Sequence, residues 1–203
     1  MLYRPSQIIQ IAGYPVKGLG RLDLQEAWLD PAGLEFGRYK DHEFMLVRSN
    51  PENGLHHFVS QRDHRFKGDK AQSMAAMAKI KPVFDGDYLK LAWDGNDFIH
   101  LPYDRNSGDA LAVEVQKDIC KAVDQGDELA DWFSEHLEYP VRLVKATGPF
   151  DRSARQDYMK NPYPMRFQDG YSYHWFAIES VEELSQIAGY PIDWTVFRPQ
   201  IVT

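Results

Sequence analysis

Apolar positions along most of the chain fall in short runs, each stopped by Gly, Pro, Asn or Asp, a pattern that predicts strands rather than helices. The first run, Ile8-Ile9-Gln10-Ile11, predicts a strand that ends or becomes an edge near Pro15, which has no backbone N–H to give to a ladder. Residues 22–29 alternate in part and stop at Asp30-Pro31-Ala32-Gly33. Phe44-Met45-Leu46-Val47 reads as a buried strand. With the turn 49–54 and the returning Phe58-Val59-Ser60-Gln61, it predicts a hairpin over 43–61. Residues 71–78, rich in Ala and Met, predict one short helix. Further strands are expected at 80–84, 88–93, 98–101 and 111–115, separated by Asp/Gly/Asn turns. Turns at this frequency suggest a closed or sandwich-like β domain.

The period changes from two to that of a helix twice. Leu129, Trp132, Phe133 and Leu137 make one stripe over 127–137, with Asp127 and Glu128 at the end where the helix dipole favours acids. Ser180-Val181-Glu182-Glu183 has a capping-box pattern. Val181, Leu184 and Ile187 would form that helix's apolar face, and Gly189 would stop it. Val141-Arg142-Leu143-Val144 lies between the helices as a strand, and 173–178 and 196–202 are read as strands too. Residues 147–169 are too long for a plain connector, which suggests a functional or mobile loop. Its Arg152, Arg155, Lys160 and Arg166 are read either as a lid over an anion or as solvated charge. The chain stops inside an apolar strand, which predicts a domain cut short.

Composition narrows the function classes. The 203 residues allow one large domain or two small ones, and 43% hydrophobic with 26% charged residues fits a globular protein. No apolar run approaches the roughly 20 residues that span a bilayer, and the first residues have no secretory pattern. The expectation is a cytoplasmic protein with no membrane partner. A net charge of −7 argues against nucleic acid as a partner but leaves room for a local basic pocket. The single cysteine, Cys120, excludes an intrachain disulfide and a multi-cysteine zinc site, and is read as a small buried hydrophobe. His56, His57, Asp63 and His64 cluster in sequence. However, His56 and His57 on adjacent strand positions point to opposite faces, so a solvated hairpin is preferred to a metal site. Lys17, placed where a strand opens into Gly18-Leu19-Gly20, is either a solvated lysine or an anion site beside free backbone N–H groups.

Several markers recur in a fixed order: Tyr14-Pro15-Val16-Lys17, Gly33-Leu34, Asp41 before Phe44-Met45-Leu46-Val47, Ser60-Gln61-Arg62, Asp124-Gln125-Gly126-Asp127, Val141-Arg142-Leu143-Val144, Asp169-Gly170-Tyr171 and Phe197-Arg198-Pro199-Gln200. As an ordered set they resemble the MOSC family, the molybdenum cofactor sulfurase C-terminal proteins. The nearest likeness is to the subgroup with an N-terminal β-barrel, which includes the mitochondrial amidoxime-reducing component and its bacterial counterparts. The resemblance implies an α+β, mostly β fold. A MOSC-type N-terminal barrel would cover residues 1–122. A helix–strand connector and the start of a MOSC β-barrel domain would cover 123–203.

The resemblance also implies a molybdopterin-type molybdenum cofactor, an oxidoreductase acting on N-hydroxylated or N-oxide substrates, and an electron-donor protein as partner. Carried over by position, the cofactor-facing residues are Lys17, Gly18, His42, Gly170, Tyr171, Arg198 and Gln200. Lys17 would meet a phosphate as a point charge, and Arg198 would grip it through its planar fork. His42 stands where the family has an arginine, and Gln200 where it has an asparagine. The family's molybdenum-ligating cysteine falls beyond the Phe-Arg-Pro strand, outside this sequence, and Cys120 does not match it. No catalytic or metal-ligating residue is therefore assigned, and the chain alone is expected to lack turnover. The other reading is a non-enzymatic β-barrel module that binds a partner or a small anion.

Overall fold

The computed structural model describes residues 7–61, 76–94, 96–148, 152–154, 161 and 163–203. Among them the chain is mostly strand, with two helices. The first strands are β1 (Gln10–Gly13), β2 (Val16–Lys17), β3 (Leu22–Leu24), β4 (Trp28–Asp30), β5 (Gly33–Phe36), β6 (Tyr39–Lys40), β7 (Phe44–Arg48) and β8 (His56–His57). A 3-10 turn, Ala76–Lys79, leads to β9 (Lys81–Asp85), β10 (Tyr88–Asp94), β11 (Asp97–Leu101), β12 (Ala110–Val115) and β13 (Asp118–Asp124). Helix α1 (Asp127–Leu137), β14 (Val141–Lys145), β15 (Arg152–Ser153), β16 (Pro164–Met165), β17 (Trp175–Phe176), helix α2 (Ile178–Ala188), a 3-10 turn at Trp194–Phe197 and β18 (Ile201–Val202) complete it.

The centre is a six-stranded sheet in the order β2-β7-β14-β13-β12-β8. Its heart is the antiparallel pair β7 and β14, with Leu46 opposite Leu143 and Met45 opposite Val144. Because side chains alternate across a strand, this pair feeds two cores. Phe44, Leu46, Val141 and Leu143 join the larger one, where Leu129, Phe133 and Leu137 of α1 pack beside Leu89, Leu91 and Leu101. Met45, Val47 and Val144 join the smaller one with Val113, Val115, Cys120, Ala122 and Phe167. Among the described residues no ladder closes this sheet into a barrel. A single antiparallel bridge, Val47 to Phe58, and the bond from Val59 N–H to the Leu46 carbonyl (2.8 Å) bring the segment after β8 back to β7. The boundary expected at residue 122 falls inside β13, and β14 pairs with both β13 and β7. A second sheet, β17-β18-β1-β3, joins the two ends of the chain.

Helix α1 forms over the expected residues, because its stripe meets the sheet and Gly126, at φ 96°, supplies the turn that starts it. Several expectations are corrected. The first strand begins at Gln10, and Ile8 and Ile9 are exposed. The 43–61 hairpin is kept only as the Val47–Phe58 bridge: β7 forms its long ladder with β14, and His56 and His57 pair in parallel with Val113 and Glu114 of β12. Strand β13 was not expected, because its turn from β12 uses Gln116-Lys117 and carries none of the usual turn residues. Helix α2 starts at Ile178, so Ser180 lies within its first turn rather than at its cap. Of the expected face only Val181 is buried, while Leu184 and Ile187 are exposed. Strand β17 is limited to two residues, and 196–202 opens as a 3-10 turn before β18. Of the helix expected at 71–78, residues 71–75 lie outside the described residues, and the rest is the 3-10 turn. No helix among the described residues is long and apolar enough to cross a membrane.

Candidate functional site

Two adjoining clefts lie where β2, the 41–43 turn, the β12–β13 tip, the 168–171 loop and the turn before β18 converge. The first, about 330 Å³, is lined in part by Lys17, Gly18, His42, Gln116, Asp169 and Arg198. The second, about 360 Å³, shares His42, Asp169 and Arg198 and adds Gly170, Tyr171 and Gln200. All seven candidates from the sequence therefore line one continuous region. Lys17 and Arg198, near the two ends of the chain, border the same cavity.

Lys17 is positioned by the parallel pairing of β2 with β7, Val16 opposite Phe44 and Lys17 opposite Met45. Its side chain is 9% exposed, with Nζ 2.6 Å from Asp169 Oδ1 and 5.7 Å from the centre of the Phe58 ring. Gly18 follows at φ 85°, a conformation that disfavours any side chain, and its carbonyl accepts a hydrogen bond from Gln61 Nε2. Gln116, at the β12–β13 tip, donates through Nε2 to Asp169 Oδ1 (2.9 Å).

The opposite wall hangs on Asp41, which is fully buried. Asp41 Oδ1 accepts the Tyr14 backbone N–H (2.7 Å), while Oδ2 accepts Gln200 Nε2 (3.1 Å) and lies 2.6 Å from His42 Nδ1. One carboxylate thus fixes the entry to β2, the His42 ring and the start of β18. Gln200 uses both ends of its amide, since Oε1 accepts the His174 N–H (2.6 Å). The Arg198 guanidinium lies 4.3 Å from the centre of the Tyr14 ring. Burial, opposed by the charges of Arg198 and Arg21, pushes the Tyr14 hydroxyl up to about 12, so it remains a neutral platform.

Backbone strain gathers here. Among the described residues other than glycine, φ is positive at His42 (51°), Asn53, Gln116 (61°), Glu138 and Arg198 (55°), and the three whose angles are given line the first cleft. Each costs on the order of 1 kcal/mol, and such residues concentrate where a site must aim side chains that regular structure cannot.

Charge is balanced unevenly. Burial lowers the Lys17 pKa below the ordinary 10.5, with the Asp169 charge and hydrogen bond opposing. Burial on its own raises the Asp169 carboxyl, but the Lys17 ammonium and the bonds from Lys17 and Gln116 outweigh it and hold the carboxyl below 3.8. The arrangement can place an oxyanion between a buried ammonium, a guanidinium and amide donors.

The other sequence candidates separate from this region. Arg152 and Arg166 are buried rather than forming a lid. Arg152 Nη1 donates to the carbonyls of Arg166 (2.6 Å) and Gln168 (2.9 Å), and Arg166 Nη1 donates to that of Ala32 (3.0 Å). Arg155 and Lys160 lie outside the described residues, as do Arg62, Asp63 and His64. His56 Nδ1 contacts the Arg48 carbonyl (2.8 Å), whereas His57 Nδ1 meets Glu114 (2.5 Å). Among the described residues no three His, Cys, Asp or Glu side chains converge as a metal site, and Cys120 is buried in the smaller core. The donors present fit a phosphate-bearing organic anion and supply no thiolate for a metal. Sequence reasoning used Asp41 and Asp169 only as markers and did not find Gln116.

The family model for the MOSC N-terminal beta barrel domain matches residues 6–140. Molybdenum cofactor sulfurase of Bombyx mori is 27% identical over 157 residues, 72% of this chain and 17% of that protein. The sulfurase of Drosophila melanogaster is 28% identical over 167 residues, 78% of this chain and 19% of that one, and that of Danio rerio is 28% identical over 148 residues, 70% and 16%. The chain spans less than a fifth of the length of these curated relatives. Among solved structures, a Bordetella bronchiseptica protein determined in solution aligns with a TM-score of 0.39 and 16% identity over 56% of this chain and 78% of that one, a likeness that carries no argument.

Proposed function

This chain belongs to the MOSC N-terminal beta barrel domain family, and we propose that the cleft between Lys17 and Arg198 holds the phosphate-bearing part of a molybdopterin-type cofactor. The observation that carries this reading is that a buried lysine and an arginine 181 positions further along border one cavity, together with His42 and the amide of Gln116 on backbone of positive φ. Lys17 and Gln116 would bind the phosphate, and Arg198 would clamp it or a ring carbonyl. His42 and the Gly170-Tyr171 loop would border the ring. Asp41 and Gln200 would hold this frame together rather than touch the ligand. When bound, the cofactor supplies the redox chemistry. In a longer protein that also provides a metal-ligating thiolate, the activity would be reduction of N-hydroxylated or N-oxide substrates with electrons from a partner protein. The names of the matched relatives point to the same cofactor.

A second reading is an anion-binding module without turnover. It is favoured by the donor set, which offers cations and amides at the cleft while Cys120 sits in a separate core. Both readings require Lys17. The test is retention of the cofactor by the wild type and by Lys17→Ala after loading, read as pterin fluorescence following oxidation. The first reading expects loss of retention in a variant that stays folded. Equal retention by mutant and wild type removes the first reading. Failure of the wild type to retain pterin while still binding pyrophosphate leaves the second.

A further inference from the structure

We propose that Asp169 is a built-in competitor for the anion site, a carboxylate that occupies the cleft until a multiply charged oxyanion displaces it, and that it thereby sets which anions bind. The inference rests on the anion-cleft reading above.

Asp169 Oδ1 takes the two donors that an incoming phosphate oxygen would use, Lys17 Nζ at 2.6 Å and Gln116 Nε2 at 2.9 Å. The carboxylate and the lysine are unequally placed. The Lys17 side chain is 9% exposed and that of Asp169 69%, so the carboxylate covers the ammonium from the solvent side. These are the hydrogen bonds the Asp169 carboxylate makes among the described residues. The backbone around it is anchored on both sides. Gln168 Nε2 donates to the Ala32 carbonyl (2.7 Å), its own carbonyl receives Arg152 Nη1 (2.9 Å), and Ser172 Oγ donates to the Pro31 carbonyl (2.8 Å). Between these anchors lie Asp169, Gly170 and the exposed Tyr171. The carboxylate can leave by a rotation of its own side chain, with no movement of the loop.

The consequence is selectivity by charge. A carboxylate tethered beside the ammonium competes at a high effective concentration. A monoanion offers Lys17 no more charge than Asp169 already does, and so gains little by replacing it. A phosphate dianion or a pyrophosphate brings extra charge to a place also bordered by Arg198, and can pay for the displaced pair. The ligand class is therefore phosphate monoesters and diphosphates, not chloride, nitrate or simple carboxylates.

The experiment titrates wild type, Asp169→Asn and Asp169→Ser with pyrophosphate, inorganic phosphate and acetate by calorimetry, with thermal unfolding as a check on folding. The proposal expects both variants to bind phosphate about three- to tenfold more tightly than wild type, and to acquire acetate binding that wild type lacks. Adding Lys17→Met to either variant should remove the gain. Unchanged or weaker phosphate binding in both folded variants overturns the proposal and leaves the cleft reading standing, because Asp169 would then orient Lys17 or stand aside rather than compete with the ligand for it. No oxyanion binding by any of the proteins overturns the cleft reading itself.

Discussion

Gln200 reaches across 159 residues of sequence to donate to the buried Oδ2 of Asp41 (3.1 Å), and its own carbonyl oxygen takes the His174 N–H. This bond ties the last strand to the turn that carries His42. The cleft is therefore shaped by residues that need not touch a ligand.

Asp41→Ala leaves the Tyr14 N–H and Gln200 Nε2 buried with no acceptor. A loss of about 3 kcal/mol is expected in urea unfolding, and Asp41→Asn, which keeps one acceptor oxygen, should recover part of it.

Gly18 lies at φ 85°, and a methyl group there would come within 2.9 Å of Met77 Cε. Gly18→Ala should cost about 1–2 kcal/mol from the backbone alone, since the Met77 end can move. A midpoint equal to wild type in chemical unfolding would mean that the loop relaxes out of this conformation.

The two apolar positions of α2 should behave differently. Val181 is 5% exposed and Ile187 is 77% exposed. Val181→Ala should destabilise by roughly 1–2 kcal/mol, while Ile187→Ser should stay within about 0.5 kcal/mol, both read from thermal unfolding with calorimetry.

Lys17 gives the site an alkaline limit. Burial holds its pKa below 10.5, so it loses its proton at a lower pH than an exposed lysine does. Pyrophosphate affinity should therefore fall before pH reaches 10.5, and Lys17→Arg, which stays charged, should move that limb upward. The same lowered value means that the unfolded chain holds the proton more tightly, so this group adds stability as pH rises through that window. Asp169 acts at the acid end. Its depressed carboxyl contributes stability that is present above 3.8 and is lost as pH falls below it. Calorimetric titrations and unfolding midpoints across pH check both limbs.

Much of the architecture was legible where periodicity was clean. Helix α1 follows from a clean apolar stripe, strand β7 from an uninterrupted apolar run, and β14 from an apolar run broken only by Arg142. Strand β13 was missed because Gln116 adopts a positive φ that its identity does not advertise. The return over 43–61 forms only in part: Phe58 and Val59 reach one edge of β7, which they share with β2, while β14 takes the other edge and His56 and His57 pair with β12 instead. In the site, Lys17 drew notice by its place before Gly18-Leu19-Gly20, but Arg198 and its link to Lys17 came only through the resemblance, since no spacing rule joins the two ends of a chain. Gln116 and the pairing of Lys17 with Asp169 carried no sequence signal, because both arise from where turns happen to point.

Lys17 and Arg198 border one cavity, and the proposed site requires that both face one anion. A double-mutant cycle tests it most directly, with pyrophosphate affinity measured for wild type, Lys17→Met, Arg198→Met and the double variant. If both side chains hold the same ligand, each single change weakens binding and the two are coupled by about 0.5 kcal/mol or more. Full pyrophosphate affinity in Arg198→Met, or strictly additive losses, would contradict it.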